Sequence, residues 1–526
     1  MYDILAAGDR RCFAPPCRNT CSIHHIVRFK GIILDNTLVP KLTYMTPLLE
    51  ESKLCDCFAE ERGTEKKKFN AKKLYVFITN VYLMCALCRI EAANILGIFP
   101  VPSISHQVVF RKITQGLANR GHNVTVITPD PAYKNGEAPP NYHEIDVHDI
   151  SYAVIRKFYK QKAHVFGDVM TFTDIRGSFE FMKEIFQAQL ETEEVQKLIS
   201  RKTKFDLILI ESVIRLDYLN QEEENSFLKE IFGPQCPSLN EMNKNVDMLL
   251  LNIHPMWVDN QPVASNVIYM GGIHQLSEKK LPQELQKYLD SSKNGVIYVS
   301  FGTNVLSQVF PEDKLKIIIN VVSRLPYDIL WKWDKDELPI KASNIKLSKW
   351  LPQSDLLRHK NVKLFITQAG LQSTDEAITA GVPLVAIPML GDQWFNAEKY
   401  EKFGIGIKLD VKTLTTDQLS KAIETVISDE SYRHNISKLR GLMHDQPEPP
   451  LNRTMWWIEY VLRHGGAKHL RSAGANMSYW EYFETELILV ILLGIFIIVA
   501  GISVVGFMLT HFISKFFTTT RKLKTN

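Results

Sequence analysis

Cysteine is nearly absent from most of this chain. Seven of the eight cysteines lie in the first 88 residues, and beyond residue 93 there is only Cys236. A disulfide within the main body of the chain is therefore excluded, whatever its redox compartment. The early cysteines have irregular spacing, and no paired histidines complete a familiar zinc pattern.

Long blocks of one charge sign are also absent. The 526 residues carry 62 Lys and Arg against 58 Asp and Glu, which gives a formal net charge of +4. A nucleic-acid-binding protein is expected to cluster its basic residues, so the sequence predicts no nucleic-acid partner. The apolar content of 45% and the charged content of 23% are typical of a globular protein.

Apolar runs long enough to cross a bilayer are scarce, and one stands out near the C-terminus. Leu487 to Leu509 contains 23 residues without a charge, which is the length of a membrane helix. Glutamates precede the run and basic residues follow it: Glu481, Glu484 and Glu486, then Lys515, Arg521, Lys522 and Lys524. This asymmetry predicts a cytosolic tail at 510–526 and a lumenal body. Lys522 and Lys524 also resemble a dilysine retrieval signal, which predicts the endoplasmic reticulum membrane.

A shorter apolar stretch, Leu74 to Leu87, has the layout of a secretory signal peptide. Its position is unusual, because signal peptides begin at the N-terminus. The sequence therefore predicts a signal-like segment at 71–92 behind an atypical leader at 1–70. Two explanations stay open: an upstream extension foreign to the native sequence, and a genuine N-terminal segment with an internal signal-anchor.

From Ala93 onward, apolar strands alternate with amphipathic helices. The first unit runs from strand Ala93–Pro100 through helix Gln107–Arg120 to strand Asn123–Thr128, and Phe205–Ile210 is a further buried strand. A second series begins near Gly295. Its predicted strands are Val296–Ser300, Ile329–Trp333, Ile345–Ser348, Val362–Thr367, Leu384–Pro388 and Ile405–Leu409, with helices at Glu312–Leu325, Leu371–Ala380, Trp394–Lys402 and Thr416–Ile427.

These patterns predict an α/β protein with two Rossmann-like domains that face a cleft. The N-terminal domain covers 93–274, a polar linker covers 275–294, and the C-terminal domain covers 295–450. A return helix and juxtamembrane segment at 451–486 lead to the membrane helix. Ligands of parallel sheets bind at the carboxyl ends of the strands, so facing domains suit a transfer between two substrates.

The segment from Trp350 to Gln393 supplies the groups that a nucleotide diphosphate needs. Trp350 offers a flat face for a base, and Gln353 follows on the same loop. After strand Val362–Thr367, Gly370 precedes a helix whose N-terminus offers unpaired N–H groups. Further polar candidates follow: Ser373 and Thr374 as hydroxyl donors, Glu376 as an acceptor for ribose hydroxyls, and Asp392 and Gln393 for sugar hydroxyls. By spacing alone, an ordinary βαβ unit without a ligand fits equally well.

This segment resembles the 44-residue signature of the UDP-glycosyltransferase superfamily, close to the insect members of its membrane-bound branch. The similarity covers roughly residues 74–526. Supporting motifs are SFGTN at 300–304, GGIH at 271–274, FDLILIE at 205–211 and WWIEYVLRHGGAKHLR at 456–471. The resemblance implies a GT-B type fold with one C-terminal transmembrane helix.

The resemblance also implies a role for each matching residue of the donor half. Trp350 would stack on uracil, while Gln353 and Glu376 bind the uridine. Thr303, Ser373 and the Thr367–Gln368 turn would contact the diphosphate, and Asp392 and Gln393 would bind the sugar. Gln368 departs from the family, in which most members have His there; the diphosphate contact is expected to persist without a positive charge.

The family's catalytic base is a histidine after the first strand, and His106 occupies that place. The resemblance implies that its neutral imidazole takes a proton from an acceptor hydroxyl, which attacks the anomeric carbon with inversion. A carboxylate is expected to orient the imidazole through its second nitrogen. Glu211 and Asp217 are the two candidates, and the sequence leaves the choice open.

The expected reaction moves a hexose, with glucose favoured, from a UDP-sugar to a small lipophilic hydroxyl compound. No metal or cofactor is expected, and homo- or hetero-oligomers with family members are a further expectation. Near Asn220, however, the chain is several tens of residues shorter than the family pattern. Either a faulty gene model or a true short isoform explains this. The alternative function is therefore a UDP-sugar-binding family member or partner subunit without turnover.

Overall fold

The computed structural model describes residues 3–7, 92–134, 136–162, 172–201, 203–212, 221–275, 277–303 and 310–523. The chain divides into two compact units, residues 1–470 and residues 471–526. The first unit contains two β-sheets with their helices, and the second contains the apolar C-terminal helix.

The first sheet has seven strands in the order β4-β3-β2-β5-β1-β6-β7. Their bounds are β1 Asp3–Ala7, β2 Asn94–Ile98, β3 Asn123–Thr128, β4 Tyr142–Asp146, β5 Leu207–Ser212, β6 Val246–Leu251 and β7 Val267–Tyr269. β4, β3, β2 and β5 pair in parallel, as do β6 and β7. The predicted βαβ start is confirmed, with helix α1 at Ile104–Asn119 between β2 and β3.

β1 lies between β5 and β6 and is antiparallel to both of them. Leu5 is opposite Ile210 on one side and opposite Leu249 on the other. The sequence analysis predicted no strand in the leader segment 1–70. In the structure, residues Asp3–Ala7 of this segment form a strand between β5 and β6.

The second sheet has six strands, all parallel, in the order β10-β9-β8-β11-β12-β13. Their bounds are β8 Val296–Ser300, β9 Asp328–Lys332, β10 Ile345–Ser348, β11 Val362–Thr367, β12 Leu384–Ala386 and β13 Gly406–Lys408. Alternate residues of β8 enter two different apolar clusters, Tyr298 in one and Val299 in the other. A strand that is buried on both faces reads as a continuous apolar run, which is why the sequence located it.

The helices of the first unit cover the two sheets. In the first half, the helices after α1 are α2 His148–Lys162, α3 Phe172–Leu190, α4 Glu193–Ser200, α5 Gln221–Phe232 and α6 Leu239–Asn243. In the second half they are α7 Gln283–Ser291, α8 Glu312–Val322, α9 Gln353–Leu357, α10 Leu371–Ala380, α11 Gln393–Lys402, α12 Thr416–Ser428, α13 Glu430–His444 and α14 Pro450–His464. α7 lies inside the segment predicted as a polar linker, because Leu285 and Leu289 give it a buried side.

The return helix α14 packs back on α1 of the first half. Met455 and Ile458 of α14 join the same apolar cluster as Ile113 and Leu117 of α1. Glu459, only 3% exposed, accepts hydrogen bonds from Arg120 at 2.9 Å and from Arg463 at 3.2 Å. Because a buried carboxylate needs such partners, this group fixes the register of α14 on the N-terminal half.

The second unit contains α15 Tyr479–Tyr482 and α16 Thr485–Leu523. Within α16, Thr485–Phe517 is long and apolar enough to span a membrane, and its side chains are not buried by protein. A helix that is apolar on all sides and unburied needs an apolar surrounding. The predicted run Leu487 to Leu509 lies entirely within it.

The position of β1 leads to a testable prediction about the N-terminal segment. Proline has no N–H group to donate and is excluded from central strands, so Leu5→Pro should lower the free energy of unfolding by about 3 kcal/mol. Thermal unfolding of the full chain in detergent measures this, with Leu5→Val as the control that keeps the strand. An unchanged transition in Leu5→Pro, or a mature chain whose first residue lies beyond Ala7, would contradict the place given to β1.

Candidate functional site

His106 and Glu211 form a buried hydrogen-bonded pair at the carboxyl edge of the first sheet. His106 Nδ1 lies 2.6 Å from Glu211 Oε1, and each residue is 6% exposed. Glu211 lies in β5, and His106 lies in the first turn of α1. The sequence had predicted His106 in the loop before this helix. An ionised carboxylate only accepts, so this contact places the proton on Nδ1 and leaves Nε2 as the basic nitrogen.

Hydrogen bonds made by the side chains of Glu211 and Gln107 hold the loop between β2 and α1 in place. Glu211 Oε2 accepts from the Val101 N–H at 3.2 Å. Gln107 donates to the carbonyls of Phe99 and Val101 at 3.1 and 3.0 Å, while Thr128 donates to Gln107 at 2.9 Å. These contacts hold the backbone that leads to His106.

The sequence left two carboxylates as candidate partners of His106, and the structure describes one of them. Glu211 contacts His106 directly, whereas Asp217 lies outside the described residues. The sequence pattern could not make this choice, since both residues follow the predicted strand Phe205–Ile210.

Four chain segments that follow strands of the second sheet supply the predicted donor site. Thr303 follows β8, Trp350 follows β10, the Thr367–Gly370 turn follows β11, and Asp392 follows β12. Parallel pairing brings all of these carboxyl ends to one edge of the sheet. The sequence therefore identified groups that the fold does place at one edge.

Trp350 is 62% exposed, so its indole ring is accessible from solvent. The Lys332 ammonium at the end of β9 lies 5.5 Å from the centroid of this ring and donates to the Gly302 carbonyl at 2.6 Å. Burial lowers the pKa of Lys332 from its usual value. Lys332 was not predicted from the sequence, and it links the Trp350 loop to the loop after β8.

Gln353 connects three residues of the predicted uridine site. Its amide nitrogen donates to Ser373 Oγ at 2.9 Å and to Glu376 Oε2 at 2.8 Å, and its oxygen accepts from Tyr298 OH at 3.0 Å. Every polar atom of the Gln353 amide thus has a partner. The network fixes Glu376 so that its carboxylate can accept further hydrogen bonds.

Two adjacent carboxyl groups on α10 have raised pKa values. Burial raises the pKa of Glu376 to about 6, partly offset by the hydrogen bond from Gln353. Burial and the neighbouring Glu376 charge raise the pKa of Asp375 to about 7, and the Gly272 backbone opposes this. Both carboxyl groups therefore ionise closer to neutral pH than ordinary carboxyl groups do.

The turn after β11 differs in one respect from the predicted phosphate-binding turn. Ala369 has a φ of 66°, so the left-handed residue of the turn is an alanine, while Gly370 has a φ of −64°. Among the described residues beyond its chain neighbours, a Cβ on Gly370 would meet only Gln368, at an ordinary contact distance of 3.7 Å. Thr367 Oγ1 accepts from the Ala369 N–H at 3.2 Å and stabilises the turn.

Gln368 is 7% exposed, and its side-chain oxygen has no hydrogen-bond partner among the residues that the structure describes. Its amide nitrogen packs against Gly302, where a Cβ would come within 2.2 Å of it. Gly302 has a φ of 73° as well, so this position requires glycine for two reasons.

Thr374 does not face the donor, in contrast to the sequence prediction. The residue is fully buried, and its hydroxyl contacts the Gly370 carbonyl at 3.0 Å and Tyr400 OH at 2.6 Å. Consecutive residues of a helix point about 100° apart, so Thr374 is directed into the protein while its neighbour Ser373 lies on another side of α10. Thr374 therefore joins α10 to α11.

Asp392 and Gln393 begin α11, next to the turn after β11. Gln393 is 6% exposed, and its oxygen accepts from the N–H groups of Met389 and Leu390, both at 2.8 Å. A ligand contact by Gln393 would therefore come from its amide nitrogen. Asp392 Oδ2 accepts from Asn396 at 2.9 Å and remains partly exposed.

The two halves of the site meet through Gln372, which the sequence prediction missed. The Gln372 side chain, in the first turn of α10, donates to the Ser105 carbonyl next to His106. The sequence feature that could have identified Gln372 is its place beside Ser373, at the start of the helix that was predicted to bind the diphosphate. The contact brings the donor helix to within one residue of the predicted base.

Among the described residues, no group of three or more His, Cys, Asp or Glu side chains is arranged to hold a metal ion. The polar groups at the two sheet edges are instead hydroxyls, amides, isolated carboxylates and a helix N-terminus. Such a set can bind a diphosphate through N–H donors and a sugar through carboxylate and amide groups.

Curated relatives carry one consistent description. An ecdysteroid UDP-glucosyltransferase of Lymantria dispar multicapsid nuclear polyhedrosis virus is 32% identical and covers 78% of this chain and 95% of its own length. UDP-glucosyltransferase 2 of Dactylopius coccus is 29% identical and covers 76% of this chain and 89% of its own. The alignment with the viral relative spans 483 positions, which is more than 78% of the 526 residues of this chain. The relative therefore has residues without a counterpart here.

Solved structures also resemble the chain. UGT89C1 of Arabidopsis thaliana is 16% identical, with a TM-score of 0.47, and covers 70% of this chain and 99% of its own. Os79 of O. sativa, solved with UDP, is 17% identical, with a TM-score of 0.46, and covers 69% of this chain and all of its own.

A family model described as UDP-glucoronosyl and UDP-glucosyl transferase matches residues 207–522, which include every predicted donor residue and the C-terminal helix. The predicted GT-B type fold, with two Rossmann-like halves, is consistent with this match and with the two sheets. The match and the viral relative together show that the chain belongs to the UDP-glycosyltransferase family.

Proposed function

We propose that this UDP-glycosyltransferase is an active, inverting enzyme that transfers glucose from UDP-glucose to the hydroxyl of a small lipophilic acceptor. The observation that carries the proposal is the His106–Glu211 pair beside the donor helix. Glucose is favoured because the relatives are named as glucosyltransferases. The names of the viral relatives make an ecdysteroid, which is a lipophilic polyhydroxylated compound, the first acceptor to test.

The proposed mechanism assigns the proton transfer to His106. Glu211 accepts the Nδ1 proton and thereby orients the ring, and Nε2 takes the proton from the acceptor hydroxyl. The oxygen attacks the anomeric carbon as the bond to UDP breaks on the opposite face. Glu211 also favours the imidazolium that forms, because its negative charge is fixed 2.6 Å from the ring.

The leaving UDP would be stabilised by groups at the start of α10. Its diphosphate would accept hydrogen bonds from the unpaired N–H groups of the helix N-terminus and from Ser373. Gln368 would donate through its amide without adding positive charge. Uracil would stack on Trp350, and Glu376 would accept from the ribose hydroxyls. Asp392 and Gln393 would bind the sugar hydroxyls.

We place the catalytic half in the lumen of the endoplasmic reticulum. The apolar helix Thr485–Phe517 supports a single span, and the basic residues after it support a cytosolic C-terminus. The dilysine-like ending supports retention in that membrane. A role in detoxification or in hormone or pigment conjugation follows from the acceptor class, and association with other family members stays a prediction.

The first prediction from this function concerns transfer itself. Membranes that contain the full chain should convert UDP-glucose and a panel of phenols and ecdysteroids into glucosides. His106→Ala removes the base and should lower kcat at least about a hundredfold while UDP binding is retained. Product is measured by mass spectrometry, and UDP affinity by titration. UDP binding without any product from the parent chain would favour the alternative of a family member without turnover.

The second prediction concerns the pH dependence of donor binding. The folded pKa of Glu376 is about 6, so its carboxylate is lost as the pH falls through that value. The dissociation constant of UDP-glucose should therefore rise about tenfold between pH 7.5 and pH 5. UDP-glucose is the appropriate ligand, because its diphosphate does not titrate in this range whereas the terminal phosphate of UDP does.

Glu376→Gln is the matched control for this experiment. Glutamine keeps the size of the side chain and does not ionise, so binding should be weaker and independent of pH over the same interval. A parent chain whose affinity for UDP-glucose is constant from pH 5 to pH 7.5 would exclude an ionised Glu376 from donor binding.

A further inference from the structure

Asn396 occupies the centre of a buried hydrogen-bond group behind the donor site. It is 1% exposed and lies one turn into α11, four residues after Asp392. Its amide nitrogen donates to Asp392 Oδ2 and to the Ala369 carbonyl, each at 2.9 Å. Its oxygen accepts from the Trp257 indole N–H at 2.8 Å. Within the described chain, each of these partners of the Asn396 amide acts either as a donor or as an acceptor of hydrogen bonds, and not as both.

The orientation of the Asn396 amide follows from the chemistry of these partners. Trp257 can only donate, and the Ala369 carbonyl can only accept. The oxygen must therefore face Trp257, and the nitrogen must face Ala369 and Asp392. A flipped amide would bring its oxygen against two acceptors and its N–H groups against a donor.

Both acceptors belong to the donor site. Ala369 holds the left-handed position of the turn before α10, and an alanine there needs external support because its Cβ disfavours this conformation. Asp392 is the carboxylate assigned to the sugar. A single side chain thus fixes the group proposed for the sugar and the turn proposed for the diphosphate.

The third partner, Trp257, comes from the N-terminal half. It lies on the 3-10 helix Pro255–Val258, and its ring is 5.6 Å from that of Phe403. The next residue but one, Asp259, pairs with Lys399 at 2.6 Å and also with Lys402. These contacts hold the segment after β6 against α11, so the N-terminal half determines how the Asn396 amide is oriented.

We infer that Asn396 is a positioning residue for the donor sugar, which holds the Asp392 carboxylate in its binding orientation under the control of Trp257. The inference rests on the proposed role of Asp392 as a sugar ligand. It predicts that the loss of the Asn396 donor weakens the binding of UDP-glucose more than the binding of UDP, which has no sugar.

The test compares the dissociation constants of UDP-glucose and UDP for the full chain, without an acceptor. The ratio is the constant for UDP-glucose divided by the constant for UDP. Asn396→Asp keeps the shape of the side chain but turns an oxygen toward Asp392. The ratio of the two constants should rise at least about tenfold, since a charge-assisted hydrogen bond is replaced by repulsion. Trp257→Phe keeps an aromatic ring and removes only the orienting N–H, so it should raise the ratio by about threefold.

Tyr400→Phe is the matched control on the same helix. It removes the buried hydrogen bond to Thr374 and leaves the partners of Asn396 intact, so the ratio should stay within about twofold of the parent. Thermal unfolding is measured for each variant, so that a general loss of stability is separated from a change in the ratio.

A double-mutant cycle identifies the route of the effect. In an Asp392→Ala background, Asn396→Asp should no longer change the ratio, because the carboxylate that it positions is gone. An unchanged ratio in Asn396→Asp, an equal change in Tyr400→Phe, or a full effect in the Asp392→Ala background would each overturn the inference.

These outcomes are separate from those that test the proposed function. Absence of product with normal UDP-glucose binding would remove the proposed activity but leave the ratio test intact. If Asp392→Ala itself leaves the ratio unchanged, Asp392 is not a sugar ligand, and the positioning role of Asn396 is overturned with it.

Discussion

The parallel pairing of β2 with β5 brings His106 and Glu211 together. These strands are in register from Ile95 opposite Leu207 to Ile98 opposite Ile210. The loop after β2 leads to His106, and β5 itself carries Glu211, so two residues that are 105 positions apart meet at one sheet edge. The 2.6 Å contact between them is buried, where a hydrogen bond to an ionised group is strong and a misplaced charge is costly.

In the second sheet, parallel strand pairing likewise brings the polar groups of the donor half to one edge. The chemistry of these groups is different. Its polar groups form a continuous set of hydrogen bonds from Tyr298 through Gln353 to Glu376, and a second set through Asn396. Burial raises the pKa values of the Asp375 and Glu376 carboxyl groups above those of ordinary carboxyl groups. An arrangement that is already hydrogen-bonded needs little reorganisation when the donor arrives.

The sequence predicted the second half better than the first. Strand Val296–Ser300 and helix Leu371–Ala380 have the predicted bounds, because a continuous apolar run or a helical period identifies them locally. β1 was missed, since its pairing depends on strands more than 200 residues away. The helix in the predicted linker was missed because only Leu285 and Leu289 of its residues are buried.

The same distinction applies to the site residues. Trp350, Gln353 and Glu376 could be assigned because they lie in one contiguous motif, and the structure places the last two in contact. The orientation of Thr374 could not be read from a motif, because it depends on where Tyr400 of the next helix lies. Glu211 and Asn396 form hydrogen bonds with partners in distant parts of the chain, and only the fold identifies these partners.

The most direct measurement of the central claim is the anomeric configuration of the product. In UDP-glucose the sugar is linked to the diphosphate in the α configuration. Attack by a hydroxyl that His106 has deprotonated, with UDP leaving from the opposite face, must give a β-glucoside. Proton NMR of the product made by the full chain distinguishes the two anomers. A β-glucoside is the predicted result, and an α-glucoside would contradict the account, because it requires a second displacement or a different approach of the acceptor.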